Sequence, residues 1–469
     1  MNSKYKTLFK NVGLLTISNL SSKILVFLLV PLYTSVLTTE EYGTYDLVVT
    51  SIQLVFPILT LNIVDAVMRF SMRQDLAVEK IASIGMGFIL KSIPVVIALL
   101  LVIYKFNIFP QITPFMWFAF FYYLFYVLNQ YFIQLAKGCE KVKDMAIAGI
   151  ISTATMVAFN VIFLLVIKLG LFGFFLANTL SQALSVFYFA IRLKIFNFVK
   201  FNVKDKALKK EMLQYCVPLI TVALSWWVNS SASKYIVSAI CGVAANGLLS
   251  VAYKIPNIIS MIQGLFMQAW QISAIKENKS KDAKKFYSDT FTFMNMALVI
   301  ACSALILFNK LVAKLLFANE FYDAWKFVPF LMVASVFNAA TGYLGPILAA
   351  ENKTKPMAKS AIYSAVVNIV LASVLVYFIG VQGATIATMI ASPVSYFIRH
   401  KALGFILDNK THKCSIISWG LLVLQAVVAI YTDWYIIQVV IIVVMIIVYS
   451  KQIKTLTEKV LSVFKSIKK

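Results

Sequence analysis

Lys141-Val142-Lys143-Asp144-Met145-Ala146 and Lys353-Thr354-Lys355-Pro356-Met357-Ala358 are two versions of one signal, basic residues set ahead of a long apolar run. The runs that follow cover 145–167 and 357–379. The two signals lie about 210 residues apart, as do Gly170-Leu171-Phe172-Gly173 and Gly380-Val381-Gln382-Gly383, and as do Ser22-Lys23 and Ser233-Lys234. Agreement among three offsets argues that a first set of six spans recurs as a second, with two spans appended. Six is even, so both halves insert with the same polarity and are related by an axis along the membrane normal. The expected architecture is a pair of six-helix bundles facing each other across a central cavity, an arrangement that serves alternating access.

Composition permits little else. Of 469 residues, 61% are hydrophobic and 13% charged, with mean hydropathy +0.85. A soluble chain has about 45–50% and about 25%, so this is an all-α polytopic membrane protein. At about 20 residues per span there is material for about 14 transmembrane helices. They run from 11–37 and 44–70 through 212–238 and 246–272 to 415–431 and 433–450, and no loop is long enough for a globular domain. With the N-terminus inside, most of the 43 Lys and Arg fall on one side, and only Lys105, Lys168, Lys310, Lys314 and Lys326 occupy the opposite loops. Both termini are therefore expected in the cytoplasm. The first apolar run is too long for a signal peptide and carries Lys23, which makes it an uncleaved span.

The expected domains are a lobe at 1–195, a basic cytoplasmic linker at 196–211, a second lobe at 212–401, and two further helices with a basic tail at 402–469. The net charge of +24 is spread over loops and tail, which suits lipid headgroups and gives no reason to expect nucleic acid. Leu311, Val312, Leu315 and Leu316 read as a short interfacial helix on the outer side. Five scattered cysteines without a CxxC pair suggest neither disulfides nor zinc, and no metal or cofactor is expected.

Four lysines fall at membrane depth: Lys23, Lys91, Lys234 and Lys254. Together they carry an insertion penalty of roughly 10 kcal/mol. Asp65 and Arg69, spaced i, i+4, read as a local ion pair, which leaves few intramembrane carboxylates to neutralise the lysines. One explanation is snorkelling to the headgroups; the other is a hydrated cationic cavity whose counter-charge arrives with an anionic substrate, the lysines meeting its phosphates. Trp226, Trp227 and Asn229, with Tyr253 and Asn257, add stacking faces and amides that suit sugar rings, set against plain interhelical hydrogen bonding. Pro31 and Pro57 in the first half, and Pro218 and Pro256 in the second, mark hinges at corresponding spans. No GxxxxGK[ST], HExxH or GxSxG motif is present, and the outer acids are dispersed, so an enzyme is not expected.

The order of several stretches resembles a known family. Leu20-Ser21-Ser22-Lys23 leading to Thr38-Thr39-Glu40-Glu41-Tyr42-Gly43 is similar to the opening of Wzx-like polysaccharide repeat-unit flippases of the multidrug/oligosaccharidyl-lipid/polysaccharide exporter superfamily. So are Asn246-Gly247-Leu248-Leu249-Ser250-Val251-Ala252-Tyr253-Lys254-Ile255 and Leu316-Phe317-Ala318-Asn319-Glu320-Phe321-Tyr322-Asp323-Ala324-Trp325. The resemblance implies a MATE-like core of twelve helices plus two. It further implies translocation of undecaprenyl-pyrophosphate-linked oligosaccharide across the bacterial cytoplasmic membrane for capsule, O-antigen or exopolysaccharide assembly. Polymerase and chain-length machinery of the same pathway are candidate partners. By position, Lys23, Lys234 and Lys254 match cations that meet the pyrophosphate in this family. Ser233 departs from it, since members often carry Asp there. The alternative is a cation-coupled multidrug exporter on the same fold, which would favour buried carboxylates.

Overall fold

The computed structural model describes residues 24–107, 110, 112–194, 199–200, 205–277, 282–351, 353–404, 406–432, 434–450 and 452–453. Lys23 and the start of the first span lie outside them. The described chain is helical: α1 (Ile24–Val36), α2 (Thr39–Leu59), α3 (Ile63–Ser71), α4 (Val78–Phe106), α5 (Met116–Gly138), α6 (Val142–Asn160), α7 (Gly170–Arg192), α8 (Lys206–Cys241), α9 (Val243–Ala252) and α10 (Pro256–Glu277). There follow α11 (Ala283–Leu307), α12 (Asn309–Leu316), a 3-10 stretch (Asn319–Phe327), α13 (Val328–Ala350), α14 (Thr354–Ile379), α15 (Val381–Ala402), α16 (Asn409–Tyr431) and α17 (Tyr435–Val448). Nine helices among the described residues are long and apolar enough to cross a membrane, and shorter apolar helices accompany them. The protein is a multi-pass membrane protein. Two compact units divide at Ser231/Ala232, inside α8 and beyond the basic linker where the sequence placed the division.

The duplicated signals have matching local geometry. Lys141 (φ −81°, ψ 53°) precedes α6 and Lys353 (φ −92°, ψ 65°) precedes α14. Their backbone N–H groups donate to Ala136 and Leu348, each five residues back, both at 2.8 Å. Gly170 (φ +55°) and Gly380 (φ +60°) turn the chain at the tip of the two helical hairpins. Three residues on, Gly173 packs against the Cβ atoms of Leu169 and Phe163, and Gly383 faces the backbone of Leu375 and Val376, where a Cβ would collide. One turn recipe, a positive-φ glycine followed by a close-approach glycine, is thus written twice.

In the first unit, Thr38 and Glu41 form a capping box that starts α2. Behind it Tyr33 stacks on Tyr42 at 4.9 Å, and Tyr45 meets Phe174 edge-on at 4.5 Å, joining α1 and α2 to α7. Tyr123 donates to Ser92 Oγ at 2.8 Å and Tyr131 to the Ala82 carbonyl at 2.8 Å, fixing α5 on α4. In the second unit a polar ladder fixes α14 to α15: Ser364 donates to the Ala391 carbonyl and Ser395 to the Ser360 carbonyl, both at 2.9 Å. The two expected spans that carry Pro57 and Pro256 are broken. The span read at 44–70 is α2 and α3, separated at 60–62, where Leu61 and Asn62 are left-handed (φ 52° and 51°). The span read at 246–272 is α9 and α10, separated at 253–255.

Candidate functional site

In the second unit, α8 brings Lys234 to the break between α9 and α10. The Lys234 ammonium lies 5.8 Å from the centre of the Tyr253 ring, and half-buried Lys254 follows in the break itself. One deep lysine therefore meets an aromatic ring at a discontinuous helix, and a second follows that ring in the chain. Such breaks aim helix ends and polar backbone at a binding site in transporter folds. The backbone N–H of exposed Asn257 donates to the Tyr253 carbonyl at 3.2 Å. Ser233, beside Lys234, is buried; it accepts from Asn368 Nδ2 at 3.2 Å, and Asn368 Oδ1 accepts from Thr388 at 3.5 Å. Ser233 thus joins α8 to α14 and α15 through neutral groups.

In the first unit, Trp227 is committed: its indole N–H donates to the Thr50 carbonyl of α2 at 2.7 Å, while Trp226 is 75% exposed. Asn229 donates back to the Ser225 carbonyl at 2.8 Å. Asn129 bonds Gln182 and Ser185 of α7, the interhelical role weighed for such amides. Lys91 lies on the exposed side of α4, with its ammonium 6.0 Å from the Phe88 ring.

The expected Asp65–Arg69 ion pair is not formed. Asp65, half-buried in α3, accepts from Asn62 Nδ2 at 2.7 Å and Gln134 Nε2 at 3.3 Å. Exposed Arg69 turns away and lies 4.8 Å over the Tyr215 ring. The left-handed Asn62 at the break supplies the amide that competes for the carboxylate. The first unit therefore holds an intramembrane carboxylate bound to amides.

The prolines divide into two kinds. Pro57 and Pro218 lie within α2 and α8, where each removes an i→i−4 hydrogen bond. Pro31 sits where regular helix resumes after Leu29, and Pro256 is the first residue of α10, a position at which the missing N–H costs nothing. Here the interruption is a break and not a kink.

Arg399 was not singled out from sequence, because Arg399-His400-Lys401 reads as the basic end of a span. Its side chain points back along α15, as helical side chains do. Nε donates to Ser360 Oγ at 2.9 Å and Nη1 to the Thr341 carbonyl at 3.1 Å. Among the described residues no carboxylate pairs with it. The spacing of Ser392, Ser395 and Arg399 on one helical face was the available signal.

The family model described as polysaccharide biosynthesis protein matches residues 8–272, more than half of the chain. The chain belongs to this family. No curated protein sequence matches it. Among solved structures, it is similar to the lipid II flippase MurJ in an inward closed conformation, at TM-score 0.67 and 15% identity over 96% of this chain and 99% of that one. It is also similar to a multidrug resistance MATE family transporter of the MOP superfamily in an inward-facing conformation, at TM-score 0.65 and 16% identity over 87% and 98%. A MOP superfamily transporter from Pyrococcus furiosus, described as having a binding pocket of reverse polarity, matches at TM-score 0.58 and 14% identity over 85% and 96%. These similarities give this member of the polysaccharide biosynthesis protein family the fold shared by those flippases and exporters.

Proposed function

We propose that this chain is a flippase that carries undecaprenyl-pyrophosphate-linked oligosaccharide from the inner to the outer leaflet of the bacterial cytoplasmic membrane by alternating access. It supplies capsule, O-antigen or exopolysaccharide assembly, and polymerase and chain-length proteins take up its product. The observation that carries this reading is the approach of the Lys234 ammonium to the Tyr253 ring at the α9–α10 break, where Lys254 is the next residue. Two ammoniums and an aromatic face suit a diphosphate joined to a sugar. Lys23 would add to the cationic set, and Trp226, Trp227, Asn229 and Asn257 would meet the glycan. Pro57 and Pro218 would give the helices their flexing points. The family supports the pathway, and the fold supports transport. In a capsule-complementation assay, Lys23→Ala combined with Lys234→Ala abolishes surface polysaccharide while membrane insertion persists, and Lys234→Arg retains it. Unchanged polysaccharide in the double variant discards the reading.

Asp65 gives a specific reason for a second reading, a cation-coupled multidrug exporter, since it offers a half-buried carboxylate held only by amides. Drug hypersensitivity of a deletion strain with normal surface glycan would favour it.

A further inference from the structure

Lys91 has surroundings of a different kind from Lys234 and Lys254. The α4 helix starts beside the basic linker: Lys80 pairs with Asp205 at 3.6 Å, and the backbone N–H of Lys200 donates to Ser83 Oγ at 2.9 Å. A charged linker belongs with water and headgroups, so the polar boundary lies at the level of residues 80–83. Lys91 is eight residues further along, about 12 Å at 1.5 Å per residue, and its ammonium is turned to the Phe88 ring, nearly one turn closer to that boundary. Its exposed neighbours Leu90 and Val95 make this face of α4 lipid-facing. Lys209, in the first turn of α8, approaches the same phenyl ring, its ammonium 5.2 Å from the Phe88 centre.

Two ammoniums from different helices thus approach one ring on a lipid-facing surface at the linker end of the unit. Nearby cations have local carboxylates: Arg73 holds Asp75 and Glu211, both at 2.7 Å, and Lys80 holds Asp205. Among the described residues neither Lys91 nor Lys209 is paired with a carboxylate. The acids of this region stand at the linker, on the other side of Ser83, and a negative group between the two lysines must come from the bilayer.

We infer that Phe88, Lys91 and Lys209 form a docking site for the phosphate of an anionic inner-leaflet phospholipid, separate from the residues that meet transported cargo. The phosphate lies between the ammoniums, and the ring and the exposed Leu90 take the start of the acyl region. Lysine suits this role, being a mobile point charge on a long stem that can follow a headgroup. Bound lipid ties the start of α8 to α4 where the linker enters the lobe. The inference does not depend on which substrate the protein carries.

The test is native mass spectrometry of the full chain in detergent, titrated with phosphatidylglycerol, with polyprenyl diphosphate and inorganic phosphate as competitors. Lys91→Gln with Lys209→Gln weakens phosphatidylglycerol binding about 30-fold, the equivalent of ~1 kcal/mol for each of two lysines near anionic headgroups. Lys91→Arg with Lys209→Arg restores it, and an unchanged melting temperature of the Gln variant shows that the fold is intact. Phosphatidylglycerol binding by the Gln variant equal to that of the parent overturns the site. Displacement by polyprenyl diphosphate at far lower concentration than by further phosphatidylglycerol overturns the assignment to bilayer phospholipid and moves Lys91 to the cargo path. Displacement by inorganic phosphate alone, with no lipid retained, overturns the lipid as ligand.

Discussion

Gly380 and Gly383 stand three residues apart and answer to different physics. Gly380 has φ +60° and ψ −145°, a backbone region kept almost to glycine, with open space around the position a Cβ would take, so alanine there meets only the backbone strain, about 1–3 kcal/mol. Gly383 has an ordinary backbone but lies against the main chain of Leu375 and Val376, which cannot step aside as a side chain would. Gly383→Ala must push α14 and α15 apart along the Ser364–Ala391 and Ser395–Ser360 bonds, an overpacking cost of about 3 kcal/mol. Thermal unfolding in detergent therefore ranks Gly383→Ala below Gly380→Ala, and equal effects would refute the distinction. The same scale shows what the letters carried. Both glycines were visible as a repeat, yet their separate roles needed backbone torsions and a neighbour. Lys91 was visible as a misplaced charge, but its level along α4 came from Lys200 and Asp205, distant in sequence. Arg399 was hidden because a terminal basic triplet gives no sign that one member folds back.

At the scale of elements, the two appended helices are fastened to α11 by polar groups. Asn295 accepts from the Trp419 indole N–H at 3.0 Å and donates to the Tyr449 hydroxyl at 2.8 Å, and that hydroxyl also meets Ser418 at 2.9 Å. A second clasp is reciprocal: Ser303 donates to Gln425 Oε1 at 2.6 Å, and Gln425 Nε2 returns a bond to the Ser303 carbonyl at 3.0 Å. Apolar burial does little to hold helices together in lipid, so such bonds set the register. Asn295→Leu strands the buried Trp419 indole N–H, takes away the amide that donates to the Tyr449 hydroxyl, and lowers stability by about 1–2 kcal/mol. The loss should be confined to α16 and α17, read as faster hydrogen exchange there with the α14–α15 hairpin unchanged; uniform loosening would contradict this. Apolar runs revealed these helices, whereas their partners could not be read, since Asn295 and Trp419 are 124 residues apart. The breaks in the second helix of each lobe were half legible. Pro57 and Pro256 signalled an interruption, but the left-handed Leu61 and Asn62 carry no glycine to announce themselves.

For the molecule as a whole, the charge bias makes one commitment that every other assignment inherits, namely which end of each helix meets the cytoplasm. The native cysteines can report on it. Cys241 is exposed at the end of α8, in a turn expected to face outward, and Cys139 is half-exposed after α5, beside the basic Lys137–Lys143 segment expected inside. Cys216 and Cys302 are buried and should stay silent. In intact cells a membrane-impermeant maleimide labels Cys241, and Cys241→Ser removes that signal; Cys139 reacts only after permeabilisation. If the labelling is reversed, the polarity of every span reverses with it. The Lys91–Lys209 face would then lie at the outer leaflet, and the Lys234–Tyr253–Lys254 cluster would face the opposite entrance. The alternation of positive loops argues against that outcome, because it holds across both duplicated halves and the tail, and a single misplaced span would have broken it midway.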